Sequence, residues 1–128
     1  MTLVAGLSAS VTLVVEEADT ALAIGSGDVP VLATPRLVAL AEQASVEAVE
    51  GELKPGTTTV GYQVQISHLA PTAVGEKVTA EATLQTIEGR RLTFRISAHD
   101  ARGFIAAGRV TRVVVERERF IAKSRGEH

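Results

Sequence analysis

The sequence predicts an α+β protein in which one long helix lies against a curled antiparallel sheet of about five strands. Three observations carry this expectation. A single 3.6-residue apolar repeat runs between Thr34 and Gly51, a β-branched run precedes it, and alternating apolar and polar segments follow it. A lone helix among half-wet strands has one place to hide its apolar stripe, the apolar face of the sheet.

Val11 to Glu16 is β-branched and reads as the first strand, ended by the acidic Glu16, Glu17 and Asp19. Ile24-Gly25-Ser26-Gly27-Asp28-Val29-Pro30 has loop chemistry and the size of a lid over a site. Thr34-Pro35 is a helix start, because threonine accepts from free N–H groups and proline suits the first turn. Leu37, Val38, Leu40, Ala41, Ala44, Ala48 and Val49 form the apolar stripe, and Gly51 and Pro55 close the helix. No other segment reads as helix.

The remainder reads as strand. Val60, Tyr62, Val64 and Ile66 alternate with polar residues and glycine, so one face is wet. Pro71 to Gly75 is a connection, after which Val78, Ala80, Ala82 and Leu84 alternate with Thr79, Glu81, Thr83 and Gln85. Glu88-Gly89 signals a hairpin. Leu92, Phe94, Ile96 and Ala98 then oppose Arg91, Thr93, Arg95, Ser97 and His99, and Gly103 turns the chain into a last strand, Ile105 to Val115. A charged tail runs from Glu116 to His128. Without repeats or linkers, residues 1–128 read as one domain, and unpaired strand edges favour completing the core by dimerisation.

Composition narrows the function. Thirteen Lys and Arg against fifteen Asp and Glu give a net charge of −2, which does not suggest a nucleic-acid or anionic-membrane binder. The absence of cysteine removes disulfides, thiolate metal sites and a cysteine nucleophile. The N-terminus lacks the basic start of a signal peptide, and no apolar run approaches the roughly 18 residues that span a bilayer, so the expected setting is the cytoplasm.

Three residues stand out chemically. His68 continues the stripe Val60, Tyr62, Val64, Ile66 and is held toward the interior, where burial favours the neutral imidazole of a general base. A core histidine satisfied by a carbonyl is the bland alternative. His99 lies on the polar face of its strand and His128 ends the chain, and no carboxylate spacing suggests a metal site. Glu42 sits among Leu40, Ala41 and Ala44, so it either holds a partner at a site or reaches out to water. Thr34 has a structural role as N-cap, and its hydroxyl is also a nucleophile if a base lies in reach. The helix start adds free N–H groups suited to an oxyanion. On a straight helix Thr34 and Glu42 stand about 12 Å apart along the axis and roughly 80° apart in rotation, so direct contact needs the chain at Thr34 to fold back before the helix begins.

Together these residues resemble a known family. Val31-Leu32-Ala33-Thr34 with Glu42 eight residues on is similar to the helix start of the fluoroacetyl-CoA thioesterase-like hot-dog proteins. Gly61 seven residues before His68, the connection Pro71 to Gly75, Glu88-Gly89-Arg90-Arg91-Leu92, Ile96-Ser97-Ala98-His99-Asp100 and the tail Glu118-Arg119-Phe120-Ile121-Ala122-Lys123 are similar too. The resemblance covers residues 30–123.

It implies the hot-dog fold, hydrolysis of an acyl-CoA thioester to a free acid and CoA, and a catalytic set of Thr34, Glu42 and His68 near a homodimer interface. Gly61, Pro35 and Arg36 are the substrate-contacting residues expected from it, Gly61 because the absent side chain lets substrate approach the backbone. No cofactor is implied beyond the CoA of the substrate, and pairing of dimers into tetramers stays open. Pro35-Arg36 replaces the small and aromatic residues that the fluoroacetyl-CoA enzymes carry there, and Gly25 to Pro30 lacks their aromatic residues. Another acyl group is therefore expected. The rival readings are a hot-dog module that binds acyl-CoA without turnover, and a hydratase or dehydratase. The latter fits poorly, since no histidine lies between Thr34 and Gly51.

Overall fold

The strands pair in the order β1-β3-β4-β5-β2, antiparallel throughout, in a computed structural model that describes residues 2–127. His128 lies outside the described residues. The strands are β1 (Ser8–Val14), β2 (Thr57–His68), β3 (Lys77–Glu88), β4 (Arg91–Asp100) and β5 (Gly103–Glu116). The long helix, α2 (Thr34–Ala48), buries Leu37, Leu40, Ala41, Ala44 and Ala48 as its repeat predicts. Ser45 joins them by bonding its hydroxyl back to the Ala41 carbonyl at 2.9 Å.

The sheet offers α2 a face of alternating residues. Val78, Ala80, Ala82 and Leu84 of β3 and Leu92, Phe94, Ile96 and Ala98 of β4 are all buried, and period 2 places each set on one side. The alanines that face one another across this layer let the helix axis approach the sheet closely, while Phe94 and the leucines fill the remaining volume.

The structure departs from the sequence expectations in three places. The first strand starts earlier than Val11, at Ser8. Two further helices exist, the single turn α1 (Ala21–Ile24), whose N-cap Thr20 accepts from Ala23 N–H, and α3 (Arg117–Ser124) in the charged tail. Finally, β2 does not alternate strictly. Its pairing with β5 slips between Gly61 and Gln63, a bulge that sets two residues against one. Gly61, Val64, Ile66 and His68 stand opposite Arg112, Val110, Gly108 and Ala106, and so share the helix-side face. Val60 and Tyr62 fall on the other side, where the Arg91 guanidinium covers the Tyr62 ring at 4.8 Å.

β2 is an outer strand of the sheet. Tyr62 and Val64 are 58% and 40% exposed along it, an unpaired edge with apolar side chains. Among the described residues no helix is long and apolar enough to cross a membrane.

Candidate active site

The fold delivers the end of β2 to the start of α2, and this junction joins two of the three singled-out residues. The N-cap of α2 is Ala33 rather than Thr34, and no side chain caps the helix. Thr34 is already in the first turn with Pro35 behind it. Its hydroxyl is released from capping and instead meets His68 Nδ1 at 2.8 Å. If the hydroxyl donates to Nδ1, the ring proton sits on Nε2. That Nε2 is buried and has no hydrogen-bond partner among the described residues. A buried polar atom in that state needs a reason.

Burial pushes the His68 imidazole below its ordinary value of 6.5, against a smaller opposing pull from the Ala70 backbone. The neutral ring is the form able to accept a proton. If His68 is the base, protonation must stop the reaction. Because burial makes protonation harder, the acid limb of kcat/KM against pH is expected to have its midpoint below 6.5. A pH–rate profile with a midpoint above that value would contradict the role.

A cavity of about 360 Å³ opens beside this pair. One wall is the segment Ser26–Leu32 and the other is His68–Pro71. The first wall is stitched in place by Ala21 N–H to Val31 O (2.9 Å) and Leu32 N–H to Thr72 O (2.9 Å). Thr72 is fully buried and donates in turn to Asp100 at 2.9 Å, which fixes the connection after β2 to the β4–β5 turn. The Arg102 N–H first of all, and Thr72 and the Arg102 charge besides, hold the Asp100 carboxyl below its usual range despite burial. The lining near Thr34 is aliphatic, with Val29, Val31, Leu32, Leu69 and Ala70.

Glu42 lies elsewhere. Two helical turns past Thr34, its carboxylate accepts from Arg112 Nη1 at 2.8 Å, and Arg112 also donates to the Thr59 hydroxyl (3.0 Å) and carbonyl (2.9 Å). Each guanidinium nitrogen thereby donates one bond, two to the strand and one to the helix. Burial lowers the Arg112 pKa from its ordinary value, and the Glu42 charge opposes this. The helix geometry that separates Thr34 from Glu42 therefore holds within one chain. Arg112 is a site residue not expected from the sequence, although a cation between Val110 and Val114 on an apolar strand face signals a buried partner.

Gly61 explains why the carboxylate fits. A Cβ built on Gly61 would stand 2.6 Å from Glu42 Oε2. The carboxylate is held there by Arg112, so making room for a methyl group means moving it away from that partner. Gly61→Ala is expected to displace Glu42 and lower turnover by about tenfold or more, while the fold survives. Kinetics together with circular dichroism check this, and an unchanged kcat would show that the position of Glu42 is irrelevant. Arg36 bonds Asp19 through Nε at 3.0 Å and ties the helix entry to the turn Glu17–Asp19, and Pro35 is exposed beside it. No group of three or more metal-binding side chains occurs among the described residues.

Comparison with known proteins adds an independent line. The family model described as FlK, fluoroacetyl-CoA-specific thioesterase, matches residues 15–118. A fluoroacetyl-CoA thioesterase of Streptantibioticus cattleyicolor is 42% identical over 95 residues, 74% of this chain and 68% of that protein. A solved structure of the fluoroacetyl-CoA thioesterase FlK superposes with a TM-score of 0.93 at 33% identity, covering 100% of this chain and 99% of the other. A hot-dog-like protein from Thermanaerovibrio acidaminovorans gives 0.86 at 25% identity, with 94% and 89% covered.

Proposed function

The chain belongs to the fluoroacetyl-CoA-specific thioesterase family and is a thioester hydrolase of the hot-dog fold, and on that premise we propose that it cleaves acyl-CoA at a site shared between two copies. Residues 1–128 act as one hot-dog unit in this reading. The observation that carries it is the 2.8 Å contact of a threonine hydroxyl, not used in capping, with a half-buried, neutral-leaning imidazole.

The exposed β2 edge supports a two-fold dimer, since an isologous pairing of β2 with itself buries that edge. Pairing centred on Gln65 sets Val64 of one copy against Ile66 of the other, and the extra residue of the bulge then sets Gly61 across from His68. Glu42 packs against Gly61, so the carboxylate of one copy then approaches the unpartnered Nε2 of the second. The result is a nucleophile, a base and a carboxylate in sequence, Thr34 and His68 from one copy and Glu42 from its mate.

In the proposed reaction the Thr34 hydroxyl gives its proton to His68 Nδ1 and attacks the thioester carbonyl. Free N–H groups of the first turn of α2 stabilise the oxyanion, a role Pro35 cannot share because it has no N–H. CoA leaves as the thiol, taking the proton from His68. Water then releases the acid by the same base. Glu42 holds the ring in the required tautomer and stabilises the imidazolium, and the scheme uses side chains and water alone.

The aliphatic cavity wall favours an apolar acyl group over fluoroacetyl. A thiol-release assay across acyl-CoAs from acetyl and fluoroacetyl to long-chain and aryl tests the reading. Release is expected, with apolar acyl groups preferred. Binding of acyl-CoA without release from any member would instead define a non-catalytic binding module.

A further inference from the structure

A groove of about 920 Å³, larger than the cavity at Thr34 and His68, lies at the other end of β2. Here α3 folds over the start of β2 and the end of β5. Val113, Val115 and Phe120 are its apolar surface, Arg90, Arg119 and Lys123 bring cations to it, and Glu116 and Glu127 bring carboxylates. Val113 and Val115 alternate with Arg112, whose side chain points to α2, so the groove opens on the opposite face of the sheet.

The charges are not balanced internally. Glu116 engages Arg119 at 3.4 Å and Glu127 engages Arg125 at 2.9 Å, whereas Arg90 and Lys123 have no ion pair among the described residues. Phe120 is 42% exposed beside them. A phenyl ring and valines flanked by uncompensated cations suit a flat heterocycle bearing phosphates: stacking takes the base, and guanidinium and ammonium groups take the anion. A plain acyl chain would gain nothing from the cations.

We propose that this groove binds the adenine nucleotide end of CoA while the thioester lies in the cavity of the other copy, an inference that rests on the shared-site reading above. With Gly61 of one copy opposite His68 of the other, Thr57 of the first runs past His68 toward the mouth at Leu69–Pro71. The groove that begins at Thr57 then borders that mouth. The pantetheine arm passes around the strand end, from the helix side of the sheet to the outer side.

The test compares one acyl group carried on CoA and on pantetheine, with the full chain and its Arg119→Glu/Lys123→Glu variant. Both residues are solvent-exposed, so the fold is expected to tolerate the change. The variant should raise KM for the CoA thioester by about tenfold, with kcat and both pantetheine constants unchanged. Equal KM values for the two thioesters in the unaltered protein, or an unaffected KM in the variant, overturn the proposal. If neither thioester is cleaved, the thioesterase reading fails instead. Calorimetry with adenosine 3′,5′-bisphosphate then decides the groove separately: binding lost in the variant supports it, and no binding to the unaltered protein overturns it. A change of oligomeric mass in the variant would assign the groove to another copy of the chain, and also overturns it.

Discussion

His68→Gln is expected to lower kcat by about three orders of magnitude, the middle of the range for removing a positioned general base. Glutamine keeps much of the imidazole's volume and can still bond the Thr34 hydroxyl, so the helix start stays in place. What it loses is the ability to take a proton near neutral pH. The loss falls on kcat, because the base acts in the transition state and touches the thioester little in the ground state. Thiol release at saturating substrate measures it, with circular dichroism and solution mass confirming an intact dimer. A variant that retains full turnover would reduce His68 to a core histidine that happens to bond a threonine.

Glu42→Gln is expected to cost about two to three orders of magnitude in kcat by a different route. The amide oxygen still accepts from Arg112, so the contact beside Gly61 persists and the side chain stays in its place. The missing negative charge no longer stabilises the imidazolium that forms on the other copy. Arg112 also loses a neutralising partner while remaining buried, which costs stability as well as rate. A denaturant midpoint measured alongside kcat separates the effects: lost rate with a small shift in midpoint marks a catalytic charge, and lost stability with normal rate marks a structural ion pair.

Much of the fold was legible because β3 and β4 follow the period of two without interruption and α2 follows its own period for nearly four turns. β2 was less so. A bulge at Gly61 shifts the register by one residue, which sends Tyr62 outward although its place in the alternation pointed inward. α3 was missed because Phe120, Ile121 and Ala122 are the only apolar residues among eight and none is buried, so no stripe marks it. The chemistry divides in the same way. Thr34 and His68 stood out one by one, from a helix start and from a face, but their contact depends on sheet order, and local sequence does not encode that order. The Glu42–Arg112 pair spans 70 positions and is closed only when β5 lies between β4 and β2. The N-cap position expected for Thr34 falls to Ala33, which has no capping side chain, and this leaves the Thr34 hydroxyl for His68.

A site built across two copies regains activity when the two inactive variants are mixed. In a dimer of one His68→Gln copy and one Glu42→Gln copy, one site receives both substitutions and the other receives neither. After free exchange of subunits, thiol release should return to about a quarter of the unaltered rate, since half the dimers are mixed and half their sites are intact. No recovery, with mixed dimers confirmed by native mass measurement, would contradict the shared site and place Glu42 outside the chemistry of its neighbour's His68.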